Sequence, residues 1–129
     1  MKKIIDAERG PKPLGPYSHA VVHNATAYLS GMGPMDPLTN QLVTGDIAVQ
    51  TERTLENIKL LLEACGSTLE HVLKVTVYLQ DMEDFPRMNE VYARYFSSSR
   101  PARSTIQAAR LPLDIAVEID AIAAVPPET

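Results

Sequence analysis

Asp46-Ile47-Ala48-Val49-Gln50-Thr51-Glu52-Arg53-Thr54-Leu55-Glu56-Asn57-Ile58-Lys59-Leu60-Leu61-Leu62-Glu63-Ala64-Cys65-Gly66 carries the clearest structural signal in the chain. Thr51, Leu55, Ile58, Leu62 and Cys65 recur at spacings of four and three, which puts them on one face of a helix. Asp46 is placed to cap that helix and Gly66 to end it in a left-handed residue. Cys65 then reads as core. A reactive thiol needs an exposed, electropositive surrounding, and Ala64-Cys65-Gly66 offers none.

On the N-terminal side of this helix the chain reads as sheet. Tyr17 to His23 and Thr26 to Met32 are strand-like runs joined across Asn24-Ala25, a hairpin by length. Gly10-Pro11-Lys12-Pro13-Leu14-Gly15-Pro16 ahead of them is expected to be an ordered loop, because its prolines fix backbone angles and remove amide donors. Gly33-Pro34 and Asp36-Pro37 break the sheet again. On the C-terminal side, Ser67-Thr68-Leu69-Glu70 has the spacing of a capping box and predicts a short helical turn. Val72 to Leu79 alternates as a strand, with Val75, Val77 and Leu79 on one face and Lys74, Thr76 and Tyr78 on the other. A second helix is predicted over about Asp84 to Phe96, burying Phe85, Met88, Val91, Tyr92 and Tyr95, with Pro86 tolerated in its first turn. Two strands, Ser104 to Ala109 and Ile115 to Ala124, close the chain.

The resulting order, strand, strand, helix, strand, helix, strand, strand, favours an α+β fold in which a single sheet carries two helices packed on one face. With neither linker nor repeat, residues 1–129 are expected to form one domain. The second face of the sheet mixes apolar and polar residues, Tyr28, Ser30 and Met32 on one parity and Glu118, Asp120 and Ile122 on another. A broad semi-apolar face left in water is an aggregation hazard, so a closed oligomer is expected.

Composition narrows the function. No apolar run approaches the roughly 20 residues of a membrane span, and Met1-Lys2-Lys3-Ile4-Ile5-Asp6 turns acidic before a signal-peptide core develops, so a soluble, cytoplasmic protein is expected. The single cysteine leaves no internal disulfide. A net charge of −4 argues against general nucleic-acid binding, which rests on neutralising phosphates. His19 and His23 lie four apart in an expected strand, roughly 13 Å between Cα atoms, too far to share one zinc. Gly31-Met32-Gly33 is followed by Pro34 rather than by a Lys-Ser/Thr helix start, and so reads as tight-turn glycines rather than a phosphate cradle. Ser18, His19 and an acid lack a nucleophile elbow.

The constellation with chemical content is Arg100-Pro101-Ala102-Arg103-Ser104-Thr105, followed at a distance by Val117-Glu118-Ile119-Asp120. The Arg103 guanidinium stays charged and presents a planar fork that fits a carboxylate, and a nearby Glu118 can hold or activate a water. An ion pair between Arg103 and Glu118 or Asp120 is the competing, merely structural reading. Spacing alone leaves both open.

Gly15-Pro16-Tyr17-Ser18, Leu29-Ser30-Gly31, Gly45-Asp46, Asn57-Ile58, Val75-Thr76-Val77, Asp84-Phe85, Met88-Asn89-Glu90-Val91-Tyr92, Pro101-Ala102-Arg103-Ser104, Leu111-Pro112 and Val117-Glu118-Ile119 stand in this order from about Ile5 to Ala124. In these motifs the chain resembles the RidA family of reactive intermediate deaminases, also called YjgF or L-PSP endoribonuclease proteins, with Pro-Ala-Arg-Ser the most specific. The resemblance implies a chorismate-mutase-like fold and a homotrimer with a central barrel and clefts between subunits. It implies a 2-iminobutanoate/2-iminopropanoate deaminase, hydrolysing 2-imino or enamine acids to 2-keto acids and ammonia with no metal or organic cofactor. Carried over, Arg103 would clamp the substrate carboxylate, Glu118 would position water, and Ser30 with the Gly31 backbone would line the pocket. Tyr17 and Asn89 would close the cleft from the neighbouring subunit. Thr105 stands in the pocket where many members carry Cys, Met32 where Gln is common, and His19 where Gln often follows Pro-Tyr-Ser, which bears on substrate preference.

Two other functions stay open on sequence. One is a single-stranded endoribonuclease or translation inhibitor, motivated by Arg94, Arg100, Arg103 and Arg110. The other is a metabolite-binding or chaperone-like trimer that uses Arg103 without turnover.

Overall fold

A computed structural model describes residues 1–128. Its elements in chain order are β1 (Lys3–Ile5), β2 (Ala20–His23), β3 (Thr26–Met32), α1 (Ile47–Ala64), β4 (Val72–Leu79), α2 (Phe85–Phe96), β5 (Ala102–Gln107) and β6 (Val117–Ala124). The strands form one sheet in the order β1-β2-β3-β6-β4-β5. Among the described residues the β4–β5 pair alone is parallel, and a parallel pair needs a crossover, which α2 supplies. The last strand, β6, enters between β3 and β4 and is antiparallel to both. To reach that slot the chain leaves β5 and crosses the end of β4, where Ala108 N–H donates to the Leu79 carbonyl and Gln80 N–H to that of Ala116.

Helix α1 forms where its sequence places it. The Asp46 carboxylate accepts from Val49 N–H at 3.0 Å. At the other end Gly66 takes φ +77, and Gly66 and Ser67 amides bond the Glu63 and Leu62 carbonyls, the pattern of a Schellman cap. Thr51, Leu55, Ile58 and Leu62 are buried, and so is Cys65, whose thiol burial pushes up in pKa against a small opposing effect of Lys3. Truncating Leu55 or Ile58 to Ala would cost about 2–5 kcal/mol. Helix α2 packs beside α1, with the Tyr95 hydroxyl donating to Glu56 at 2.8 Å. Both helices cover the face that carries Val75, Val77, Leu79, Ile119 and Ala121, the expected chorismate-mutase-like arrangement of one sheet with two helices on a single face.

Four local expectations are corrected. A three-residue strand, β1, precedes the two expected N-terminal strands and pairs with β2. Strand β2 begins at Ala20 rather than Tyr17, because His19 is tied into the preceding loop: its Nδ1 accepts from Ala7 N–H at 2.8 Å and its Nε2 faces the Pro11 carbonyl. The Ser67 hydroxyl donates to the Ala124 carbonyl, so no capping box forms, although the turn Leu69–His71 does. Met32 leaves the parity of Tyr28: Leu29 pairs Ala121 and Met32 pairs Ile119, three steps on β3 against two on β6. The extra residue is a bulge at Ser30-Gly31, and it turns Met32 into the buried face. The hairpin over Asn24-Ala25 does form, with both residues left-handed (φ 50 and 58) as a two-residue loop of this twist requires.

Candidate active site

Arg103 projects from β5 on the helix-covered face, in register with Val75 of β4 and, through it, Ala121 of β6. There it meets one stripe of α2. Nη1 donates to Asn89 Oδ1 at 2.8 Å, and the guanidinium carbon lies 4.5 Å from the Tyr92 ring centre and 5.4 Å from that of Phe85. Thr105 lies two residues along on the same face, and its hydroxyl has no partner among the described residues. Tyr92 is buried, and its hydroxyl meets no acceptor in good geometry among the described residues; burial raises its pKa, and Arg103, by its charge and its nearness to the hydroxyl, opposes the rise. Arg100 and Ser97 complete an open groove beside Arg103.

Glu118 projects from β6 on the opposite face. Its register partner is Tyr78, not Val75, and that difference of parity decides its side. It borders a cavity of about 230 Å³ with Tyr17, Gly31, Met35 and Leu113. Burial, and secondarily the charge of Asp120, raise the Glu118 pKa above the usual carboxylate range. Asp120 itself accepts from the Tyr78 hydroxyl at 2.9 Å. Gly31 is at the wall: a Cβ there would stand 2.5 Å from Glu118 Oε2, so only glycine leaves the carboxylate its position. Ser30 donates its hydroxyl to the Ser18 carbonyl at 2.7 Å and opens on the adjoining groove, which Tyr17 shares.

The sequence residues thus gather into two sets, Arg103 with Asn89 and Thr105, and Glu118 with Gly31 and Tyr17. Neither the expected side-by-side guanidinium and carboxylate nor the ion pair between them forms within one chain. Strand β4 stands between β5 and β6, and opposite parity sends the two side chains to opposite faces. Asn89 reaches Arg103 inside its own chain and needs no neighbouring copy for that contact. Of the basic group, Arg110 is paired with Asp114 at 3.0 Å.

Reading the sequence missed the supports of the pocket. Buried Asn57 donates from Nδ2 to the Gly33 and Met35 carbonyls at 3.0 and 2.8 Å, pinning the pocket wall to α1; a polar residue on the apolar stripe of a helix was the available signal. Leu113 and Asp114 both hold left-handed backbone (φ 58 and 54), at about 1–2 kcal/mol for Leu113 and less for Asp114, whose short polar side chain suits that region. No motif marks such a turn. Among the described residues no cluster of three or more His, Cys, Asp or Glu side chains is placed to hold a metal, and no helix is long and apolar enough to cross a membrane.

The endoribonuclease L-PSP family model matches residues 7–125. The chain belongs to that family. A RutC family protein of Pyrococcus horikoshii is 53% identical over 123 residues, spanning 95% of this chain and 98% of the relative. A Bos taurus protein named 2-iminobutanoate/2-iminopropanoate deaminase is 45% identical over 129 residues, 100% of this chain and 94% of that protein. Among solved structures, E. coli TdcF with bound serine superposes with a TM-score of 0.88 at 38% identity, covering 95% of this chain and 98% of TdcF.

Proposed function

We propose that this L-PSP family member is a hydrolytic deaminase of 2-imino and enamine acids, 2-iminobutanoate and 2-iminopropanoate among them, and that it works as a homotrimer with each site assembled from two copies. The observation that carries the reading is Arg103, a guanidinium held by Asn89 through Nη1 and flanked by two rings, beside an open groove. Its free edge is a seat for a carboxylate. The named activity of the bovine relative and the amino acid bound by TdcF support a substrate with an α-carboxylate.

In this reading Arg103 anchors the carboxylate of the imino acid, and Thr105 lines the wall beside it. A protonated imine carbon is already electrophilic, so the protein has to orient the acid and present a water, not supply a nucleophile. Glu118, its proton affinity raised by burial, accepts a proton from the water as oxygen adds to C2. Glu118 returns that proton to nitrogen and takes the proton of the new hydroxyl as the C–N bond breaks, which leaves the 2-keto acid and ammonia. Tyr17, Ser30 and the Gly31 backbone shape the pocket on the Glu118 side. No step needs a metal or organic cofactor.

Since Arg103 and Glu118 occupy opposite faces of one sheet, a site that uses both draws them from different copies. The test generates 2-iminobutanoate in situ with threonine dehydratase and follows ammonia and 2-oxobutanoate, with a single-stranded RNA degradation arm on the same preparation. Accelerated imine hydrolysis with intact RNA supports the proposal; RNA cleavage without hydrolysis refutes it. Co-refolding inactive Arg103→Ala with inactive Glu118→Gln in equal amounts should restore about a quarter of the wild-type activity, the fraction of all interfaces that keep both residues. Absence of recovery in verified mixed trimers would mean that Arg103 and Glu118 do not act together in one site between copies.

A further inference from the structure

Phe85, Asn89 and Tyr92 stand at i, i+4 and i+7 of α2, one stripe of the helix, and all three meet the same guanidinium. Seven residues span about 10.5 Å along a helix axis. The Arg103 guanidinium carbon lies over both rings, 5.4 Å from the Phe85 centre and 4.5 Å from that of Tyr92, so the rings at the two ends of that interval meet one group. Tyr92 is itself immobilised: it is 8% exposed and packs on the Phe96 ring with centroids 4.7 Å apart.

We propose that Phe85 and Tyr92 are positioning residues, an aromatic cradle that fixes the plane of Arg103 so that its free edge faces the substrate carboxylate. All five guanidinium N–H groups lie in the plane of the group, while its faces are weakly hydrated and suited to stacking. Aromatic rings against those faces thus occupy surface the fork does not use. Asn89 engages Nη1 and sets rotation within the plane. A flexible Arg would lose rotamer freedom on binding, and a cradled one has lost it beforehand, so the gain falls on substrate affinity rather than on turnover.

This inference rests on Arg103 being the carboxylate clamp, and the experiment separates the two ideas. Steady-state imine hydrolysis, and calorimetric titration with 2-oxobutanoate as the probe, are measured for Arg103→Ala, Tyr92→Leu, Tyr92→Phe and Phe85→Leu, each checked for wild-type mass and circular dichroism. The cradle predicts that Tyr92→Leu raises KM and the 2-oxobutanoate Kd by about tenfold with kcat within about twofold, and that Phe85→Leu does so by a smaller factor. Tyr92→Phe keeps the ring and should restore KM to within about twofold of wild type. If Tyr92→Phe is as damaging as Tyr92→Leu, the buried hydroxyl and not the ring face is at work, and the cradle is wrong. If Tyr92→Leu does not fold, Phe85→Leu decides: an unchanged KM and Kd there, with Arg103→Ala inactive, overturns the cradle. Full activity in Arg103→Ala overturns the clamp itself.

Discussion

Arg103 and Glu118 are both half-buried charges on neighbouring regions of one sheet, but they are kept in different ways. The guanidinium has an amide acceptor and two aromatic rings around it. The carboxylate has no side-chain hydrogen-bond partner among the described residues, shares its face with Asp120, and has its proton affinity raised by burial. One region surrounds a permanent charge with partners; the other buries a carboxylate without them, which favours its protonated form. A clamp and a base have these opposite needs.

The largest effect should come from breaking the supported charge. Arg103→Ala removes a charge-assisted, partly desolvated contact worth on the order of 2–5 kcal/mol, so kcat/KM for 2-iminobutanoate should fall thirtyfold to several-thousandfold. Arg103→Lys, a point charge on a flexible stem, should recover only a small part of this. Activity near wild type in assembled Arg103→Ala would leave a binding module as the better account.

Glu118→Gln should lower kcat by about a hundredfold with little change in KM, because a proton acceptor acts after binding. It should also stabilise the protein. The folded-state pKa of Glu118 lies above its unfolded value, so the fold binds that proton more tightly, and this contribution is present at low pH and lost as pH rises through the folded pKa. Thermal melts should therefore show Glu118→Gln above wild type at pH 7–8, with the gap closing toward about pH 4. A gap that widens on acidification contradicts a raised pKa.

A smaller effect belongs to Gly31→Ala. The added methyl would meet Glu118 Oε2 at 2.5 Å and its carboxyl carbon at 2.9 Å, so the carboxylate must shift. A displacement of that order should cost about tenfold to a hundredfold in kcat, with the 2-oxobutanoate affinity of the Arg103 region retained. Loss of both together would mean that the two regions are not separable. Smallest of all, Thr105→Cys should keep deaminase activity within about tenfold, since neither side chain acts as a nucleophile. An inactive, properly assembled Thr105→Cys would assign the unpartnered hydroxyl a part in the reaction.

Local elements were legible because their causes are local. Asp46 and Gly66 frame α1, the alternation of Val75, Val77 and Leu79 marks β4, and Pro86 sits in the first turn of α2. Lys3-Ile4-Ile5 is too short to show a period and becomes a strand only because β2 pairs with it. The separation of Arg103 from Glu118 was illegible for a related reason: strand insertion is a non-local event, and nothing between residues 103 and 118 announces that β6 lands beyond β4. Met32 changed faces because one extra residue on β3 inverts the alternation that follows it. Phe85 and Tyr92 were correctly placed on the inner stripe of α2, but packing alone does not say which inner residues meet a charge.

That extra residue in β3 divides the strand into two lengths with separate duties. Residues before it keep step with β2 and β6, while Gly31 and Met32 after it answer to the pocket. Evolution can therefore exchange side chains at the far end without disturbing strand pairing at the near end, but it cannot change the count. Deleting a single residue there would return Met32 to the open face and carry Gly33 out of the wall, so this short segment should accept other side chains at Met32 but neither a side chain at Gly31 nor a change of length.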